Sequence, residues 1–411
     1  MSKIEDLIAE FCPNGVTYKP LAELGKFYGG LTGKSKDDFS DGNATFITYR
    51  NVYSNPALDI NPDDTVKIAE GEKQRTLEYG DVVFTGSSET PDECGFSSVV
   101  TKKPEKSLYL NSFCFFFRFN NLSIIEPDFA KHLFRSSNLR YQIGKTASGV
   151  TRFNVSKKLM GNVVIPLPPL PVQREIVRIL DNFTELTAEL TAELTARRKQ
   201  YEYYRDSLLT FGDEVKWKTL DEIFYIKGGY TPSKNNQEYW LNGSIPWFRM
   251  EDIRENGRIL DKAIQYINKC AVKKAPFRAN SMIIATSATI GEHALISVPF
   301  VCNQRFACLS LREKYENTID MKYIFYQCFI LDEWCRNNVN EGNFASVDMK
   351  KLCNYKMPIP PLAEQQRIVG TLDRFDTLCN DISSGLPAEI SARQKQYEYY
   401  RDKLLTFKEL T

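Results

Sequence analysis

The chain lacks most of what chemistry on nucleic acids or nucleotides requires. Of its 411 residues only two are histidine, His132 and His293, which excludes a histidine-rich metal site and argues against histidine acid–base catalysis. The ten cysteines, at positions 12, 94, 114, 270, 302, 308, 328, 335, 353 and 379, include no Cys-x-x-Cys pair, and no secretory signal precedes them. Reduced thiols in a cytoplasmic protein are expected. No apolar run approaches the roughly 18 residues of a bilayer span, so no membrane association is expected. An Asn/Asp-Pro-Pro-aromatic motif, which adenine methyl transfer would need, is missing: the Pro-Pro pairs Pro168-Pro169 and Pro360-Pro361 are each followed by leucine. Pro127-Asp128 has no nearby acidic-x-Lys partner of the nuclease kind, and triplets such as Asp348 to Lys350 arise by accident among 52 acidic and 53 basic residues. GGLTGKS (Gly29 to Ser35) is one residue short of phosphate-loop spacing, and its counterpart GGYTPSK has no Gly-Lys-Ser. That loop is expected to be an ordinary turn or a DNA-phosphate contact. A net charge of +1 excludes a general basic coat while leaving a local basic cleft open. These absences point to a non-catalytic binding subunit with no metal or cofactor of its own.

What the chain does contain is a repeat. Arg198 to Phe211 (RKQYEYYRDSLLTF) and Gln394 to Phe407 (QKQYEYYRDKLLTF) agree at twelve of fourteen positions. Upstream, IPLPPLPVQREIVRILDNF (Ile165 to Phe183) matches MPIPPLAEQQRIVGTLDRF (Met357 to Phe375), so one structural unit occurs twice. Apolar residues follow a heptad-like spacing: Ile176, Leu180, Phe183, Leu186, Leu190, Leu194, Tyr201, Tyr204, Leu208 and Phe211 in the first copy. The second gives Ile368, Leu372, Phe375, Cys379, Ile382, Leu386, Ile390, Tyr397, Tyr400, Leu404 and Phe407. The spacing predicts two helices of roughly 40 residues, about 60 Å each, paired as a coiled coil. Gly385 and Pro387 are expected to bend or interrupt the second.

Within the first helix the tetrapeptide TAEL stands in tandem at 187–190 and 191–194. Ordinary helix surface would explain it. A spacer would too: each tetrapeptide adds about 6 Å, nearly two base steps of B-DNA at about 3.4 Å each, and the duplicated context favours this reading. Thr187, Leu190, Thr191 and Leu194 are the spacer candidates. Tyr201, Tyr204, Tyr397 and Tyr400 are expected in helix packing or a partner-protein surface rather than base stacking, with Arg205 and Arg401 paired to nearby carboxylates.

Met1 to Asn14 predicts a short amphipathic helix. Its exit, GVTYKPLAELGKFYGG, resembles DEVKWKTLDEIFYIKGG after the first long helix, which suggests a circular, pseudo-two-fold plan. The segments 17–164 and 213–356 carry β-rich runs (Asp81 to Thr85, Ser112 to Phe119, Ser281 to Thr286, Arg305 to Leu311) and late helices (Asp128 to Ser136, Met321 to Trp334). FCFFFRF (Phe113 to Phe119) is expected to be a buried strand. Weak equivalences link the segments: Arg50 with Arg249, Thr48 with Trp247, TGSS (85–88) with TSAT (286–289), and Asn111 with Asn303.

Arginine can chelate guanine and asparagine or glutamine adenine, while serine, threonine and lysine hold phosphates. The candidate DNA contacts are therefore Arg50, Thr85, Ser87, Ser88, Asn111, Thr151 and Arg152 in the first segment. In the second they are Thr231, Ser233, Lys234, Trp247, Arg249, Thr286, Ser287, Thr289, Asn303, Gln304, Arg305 and Asn343. A surface ion pair or a core hydrogen bond is the plain alternative for each.

Two variable segments, each followed by (I/M)-P-x-P-P-L-x-x-Q-x-x-I-V-x-x-L-D and by a helix ending in KQYEYYRD-x-LLTF, resemble the DNA-specificity subunit of type I restriction-modification enzymes, in the branch with TAEL spacer repeats. The resemblance covers essentially the whole chain. It implies an α+β fold with target-recognition domains at 1–164 and 213–356 and conserved spacer helices at 165–212 and 357–411, the helices forming an antiparallel coiled coil. It further implies a bipartite double-stranded DNA target, one half-site per domain, two methyltransferase subunits and two restriction/translocase subunits. S-adenosylmethionine, ATP and magnesium would be held by those partners, and the methyl group would go to adenine N6. A specificity subunit of a type II system with a fused nuclease-methyltransferase would share these features. A coiled-coil adaptor binding only proteins is the rival of another class.

Overall fold

In the computed structural model, residues 3–273, 275–340, 345–381 and 384–410 are described. The chain divides into two compact units, 1–192 with 389–411, and 193–388, rather than into consecutive segments. Helix pairing is the cause. The 40-residue helix Leu170–Leu209 gives its first half to one unit and its second half to the other. The second copy forms two helices, Leu362–Asn380 and Leu386–Leu404. Gly385 marks the interruption, since a Cβ there would lie 2.5 Å from the Thr377 carbonyl oxygen. Ile382 lies outside the described residues.

Each unit pairs the head of one repeat with the tail of the other. In the first unit Tyr400 stacks on Phe183, ring centroids 5.3 Å apart; in the second Tyr204 stacks on Phe375 at 5.6 Å. The two contacts exchange the same pair of repeat positions. That reciprocity is what antiparallel packing of two copies demands, and it explains why tyrosines occupy the seam. Tyr201 is 6% exposed, and Ile176, Leu180, Ile368 and Leu372 are fully buried.

The same frame carries both units. The ribbon Thr17–Pro20 pairs antiparallel with Val164–Leu167, and Lys216–Thr219 with Lys356–Ile359. One helical turn follows in each (Leu21–Leu24, Leu220–Ile223), then the edge strand of the main sheet (Gly25–Gly29, Phe224–Gly228). The first sheet has four strands in the order 25–29, 114–119, 82–85, 97–99; the second has five, 224–228, 306–311, 281–285, 293–296, 259–260. Phe115, Phe117 and Phe119 face one core and Cys114 and Phe116 another. Burial on both faces is why FCFFFRF is almost continuously apolar, although Phe113 itself is 59% exposed. The amino-terminal helix Lys3–Phe11 packs in the same core as Leu405, and the Val16 N–H donates to the Lys408 carbonyl at 2.8 Å. The circular plan expected from the two matching exits is realised within the first unit.

The repeated Gln and Asp of the signature dock each sheet's helix onto the conserved helices. Asp181 accepts from Lys131 at 2.8 Å, and Asp373 from Lys322 and Tyr326, each at 2.7 Å. Both histidines are buried, His132 at such a joint and His293 between its sheet strand and the helix Met321–Asn337. His132 lies between Tyr397 (2.9 Å) and Asp181 (2.8 Å), with Lys131 and Asp128 nearby, and His293 lies 2.8 Å from Asp332, with Arg258 nearby. Burial pushes both imidazoles below their usual range despite those carboxylates. The unfolded rings take up protons that the buried ones exclude, so stability is full above pH of about 6.5 and falls as the pH drops below it. Urea titrations between pH 8 and 5.5 check this: the wild-type midpoint should fall on acidification, and that of a His132→Gln, His293→Gln double variant should fall less. Equal slopes would place the effect on other groups.

Candidate nucleic-acid interface

At one end of each main sheet a cleft forms beside the same strand pair and turn, while its other walls come from different loops in the two units. The strand Ala44–Ile47 runs parallel to Leu108–Leu110, and Ile245–Phe248 parallel to Val301–Cys302. The turn that follows is built by asparagine. The Asn111 N–H donates to the Ile47 carbonyl at 2.9 Å, and its Oδ1 accepts the Phe113 N–H at 2.8 Å. The Asn303 N–H likewise donates to Phe248 at 3.1 Å, and its Oδ1 accepts the Arg305 N–H at 3.0 Å. Gly30 and Gly229 pass so close that a Cβ would sit 2.1 Å and 2.2 Å from the Asn111 and Asn303 carbonyl oxygens. Asn111 and Asn303 are thus turn formers whose side-chain carbonyls are already used.

This register moves two of the sequence equivalences. Ile47 pairs with Leu110 and Phe248 with Cys302, which aligns Arg249 with Thr48 and Trp247 with Phe46 rather than with Arg50 and Thr48. The cause is loop length: 17 positions separate Gly30 from Ile47, and 19 separate Gly229 from Phe248. Val83 pairs with Phe116 and Ile283 with Cys308, so Ser87 aligns with Ser287 and Thr85 with Ala285, one residue off the TGSS–TSAT match.

In the first unit the cleft is lined by Tyr49, Tyr53, Ser87, Ser88, Glu89, Glu93, Phe113, Thr151 and Arg152. Arg152 donates from Nε and Nη2 to the Ser87 hydroxyl at 3.1 and 3.0 Å, with its guanidinium 5.8 Å from the Phe113 ring. Ser88 donates to Glu93 at 3.0 Å. Thr151 is exposed in the hairpin Ala147–Gly149 and Phe153–Val155, next to Val150, which is 92% exposed. Arg50 is exposed on the helix Tyr49–Ser54, with no ion-pair partner among the described residues. Thr85 does not reach the surface: it is fully buried and its hydroxyl accepts the Phe96 N–H at 2.9 Å. Behind the cleft Arg135 and Arg140 bond to backbone carbonyls of residues 52–53 and 92–97. Burial pushes each guanidinium down to about 10.

In the second unit the cleft is lined by Thr231, Lys234, Trp240, Arg249, Gln304 and Arg305, among others. The Thr231 hydroxyl donates to the Gln304 side-chain carbonyl. Ser233 and Lys234 are exposed, and the Ser233 carbonyl accepts the Trp240 indole N–H at 3.0 Å. Trp247 is only 5% exposed, its indole donating to the Tyr230 carbonyl at 3.1 Å, so it is a wall of the cleft rather than a free contact. Arg249 lies 5.5 Å above that ring and 3.9 Å from both Glu251 and Asp252. Thr286 donates to the Arg305 carbonyl at 3.0 Å, Ser287 bridges Ser346, and the Thr289 hydroxyl is buried. Of these, Thr286 braces the cleft through the Arg305 backbone, and none of the three lines it. Asn343 lies outside the described residues.

On the long helix Thr187 and Thr191 return their hydroxyls to the carbonyls four residues back, at 2.8 and 2.7 Å. Leu190 is half-buried, and Leu194 packs on the second unit's core. Tyr201, Tyr204, Tyr397 and Tyr400 are engaged in packing, Tyr204 while 40% exposed, whereas Tyr203 (70%) and Tyr399 (61%) are the most exposed members of the blocks. The aromatic cleft residues Tyr49, Tyr53, Phe113 and Trp240 are not among the sequence candidates, Phe113 because it opens a run that reads as a buried strand. In GGLTGKS, Lys34 is bound 2.6 Å from Glu72 and from the Lys67 carbonyl, so it holds a turn. Among the described residues no group of three or more His, Cys, Asp or Glu is placed to bind a metal ion, and no helix is long and apolar enough to cross a membrane.

A family model described as the type I restriction modification DNA specificity domain matches residues 13–197 and again 212–392. The type I restriction enzyme EcoprrI specificity subunit of Escherichia coli is 53% identical over 206 residues, 48% of this chain and 51% of that one. The EcoR124I/EcoR124II specificity subunit, also of Escherichia coli, is 47% identical over 270 residues, 62% and 64% of the two chains. The chain thus spans about half of the first relative and under two thirds of the second. A putative type I restriction enzyme specificity subunit of Haemophilus influenzae is 34% identical over 63% of this chain and 68% of its own. Among solved structures, one titled for complex assembly and conformational transition of the type I R-M system is similar over 96% of this chain and 98% of that one, with a TM-score of 0.68 and 20% identity. The HsdS subunit of Thermoanaerobacter tengcongensis is similar over 96% and 97%, with a TM-score of 0.54 and 19% identity. At these identities the likeness is one of fold.

Proposed function

Since the chain belongs to the type I restriction-modification DNA specificity family, we propose that it recognises a split double-stranded DNA target, each unit reading one half-site and the long helix setting the gap. The observation that carries this reading is the backbone frame repeated in the two units, a parallel strand pair and an asparagine turn beside each cleft, with different side chains on it. Two readers of unlike sequences need that arrangement, because a common frame docks each unit in the same way while the side chains choose the bases.

The polar side chains near the clefts divide the work. Arg50, Arg152 and Lys234 suit phosphate oxygens, which position a protein on the duplex without reading it. Arg305, Gln304 and Arg249 suit base edges. In this proposal the chain performs no chemistry. It directs two methyltransferase subunits, which hold S-adenosylmethionine and modify adenine N6, and two restriction/translocase subunits, which hold ATP and magnesium, in a cytoplasmic complex. Tyr203 and Tyr399, equivalent and exposed, are the side chains best placed for such partners.

The test is a genome-wide adenine-methylation map of cells carrying this chain with its methyltransferase partner, against cells lacking this chain alone. A split motif that vanishes with the chain is expected. An unchanged map, with the partner shown to be made, would overturn the reading.

A further inference from the structure

The asparagine turn places a different side chain on the same backbone in each unit. In Asn111-Ser112-Phe113 and Asn303-Gln304-Arg305 the third residue donates its N–H to the asparagine Oδ1, and the strand of the main sheet begins directly afterwards. The next residues, Cys114 and Phe306, are buried at 3% and 1%, so the turn is anchored in the core. Phe113 nevertheless stands 59% exposed at the cleft, although the phenylalanines that follow it are all buried. Packing does not account for it. Arg305, at the equivalent position, is exposed with no ion-pair partner among the described residues and lines its own cleft.

We propose that this turn position is a specificity-determining contact in both units: Phe113 packs on the 5-methyl group of a thymine in the major groove, and Arg305 donates to O6 and N7 of a guanine. The inference rests on the proposed DNA reading. An apolar side chain distinguishes thymine by its methyl group and arginine distinguishes guanine by its two acceptors, so one docking geometry yields two unlike half-sites. Arg152 strengthens the first case. Two of its five donors are held by Ser87, which fixes the guanidinium beside the ring and leaves the others for a phosphate.

The experiment uses the full chain in complex with its methyltransferase partner, on duplexes carrying the mapped motif. Each thymine of the first unit's half-site is replaced in turn by deoxyuridine, which removes only the methyl. Wild type is expected to lose about fourfold in affinity at one position, the value of one methyl-sized apolar contact. Phe113→Ala should bind both duplexes at that weaker level, Phe113→Leu should keep part of the discrimination, and the other half-site and the gap should not change. Arg305→Ala should cost roughly 5- to 150-fold and relax a single guanine of the second half-site. A first half-site without thymine, a wild type indifferent to every deoxyuridine, or a uniform loss on all sequences would overturn the proposal. The DNA reading itself fails separately, through the absence of any split motif with the wild-type chain.

Discussion

Removing Thr191 to Leu194 is expected to leave both half-sites of the methylated motif unchanged and to bring them closer by one to two base pairs. The four residues lie inside a helix that runs unbroken from Leu170 to Leu209, so their loss shortens it by about 6 Å. The rotation matters as much as the length. At about 100° per residue, four residues turn the helix by about 400°, only about 40° beyond a full turn. Downstream seam residues such as Tyr201 and Leu209, 6% and 1% exposed, therefore return almost to their original side and can repack. Deleting only Thr191 and Ala192 turns the downstream helix by about 200°, which faces those side chains away from their core. That variant should direct no methylation at all. Sequencing the methylated motif for both deletions decides: an unchanged gap after the four-residue deletion, or normal activity after the two-residue one, would sink the spacer argument.

The contrast between these deletions also shows what the sequence carried well. Helix positions repeat on a fixed pitch, so the two copies of the seam were legible from spacing, the interruption at Gly385 from its glycine and proline, and the docking of the amino-terminal helix from the two matching exits. The four-residue step of TAEL was legible for the same reason. The clefts were not. Their walls come from turns and short strands whose register depends on loop length, and a two-residue difference between Gly30–Ile47 and Gly229–Phe248 displaced the match of Arg249. Residue type misled as well. Thr85 looked like a phosphate ligand, yet its hydroxyl belongs to the Phe96 N–H; Phe113 looked like the start of a buried strand, yet it is exposed. Trp247 looked like a contact and is a wall. In each case the deciding quantity is which way a side chain leaves a turn, which a single sequence does not encode in any periodic form.

The second large effect is expected at the glutamine of the repeated signature. Gln173 is fully buried; its Oε1 accepts the Glu126 N–H at 2.8 Å, and its Nε2 donates to the carbonyls of Ile124 at 2.9 Å and Pro168 at 2.7 Å. Gln365 repeats the pattern with Asp320, Thr318 and Pro360 at 2.9, 2.9 and 2.8 Å. Each amide thus satisfies three backbone groups and ties the loop before a sheet's helix to the start of a conserved helix. Leucine fills the same space and leaves all three unpaired. One orphaned buried group costs about 1–3 kcal/mol, so Gln365→Leu should lose about 3 kcal/mol or more, whereas Gln366→Leu, one residue away and exposed, should stay within about 0.5 kcal/mol. Urea midpoints of the two variants compare them directly, and similar midpoints would refute the role. Gln173→Leu should behave like Gln365→Leu, because the two joints are copies. Either variant should abolish methylation of the whole split target rather than of one half, since a bipartite site bound by one unit no longer places the partner's active sites on the duplex.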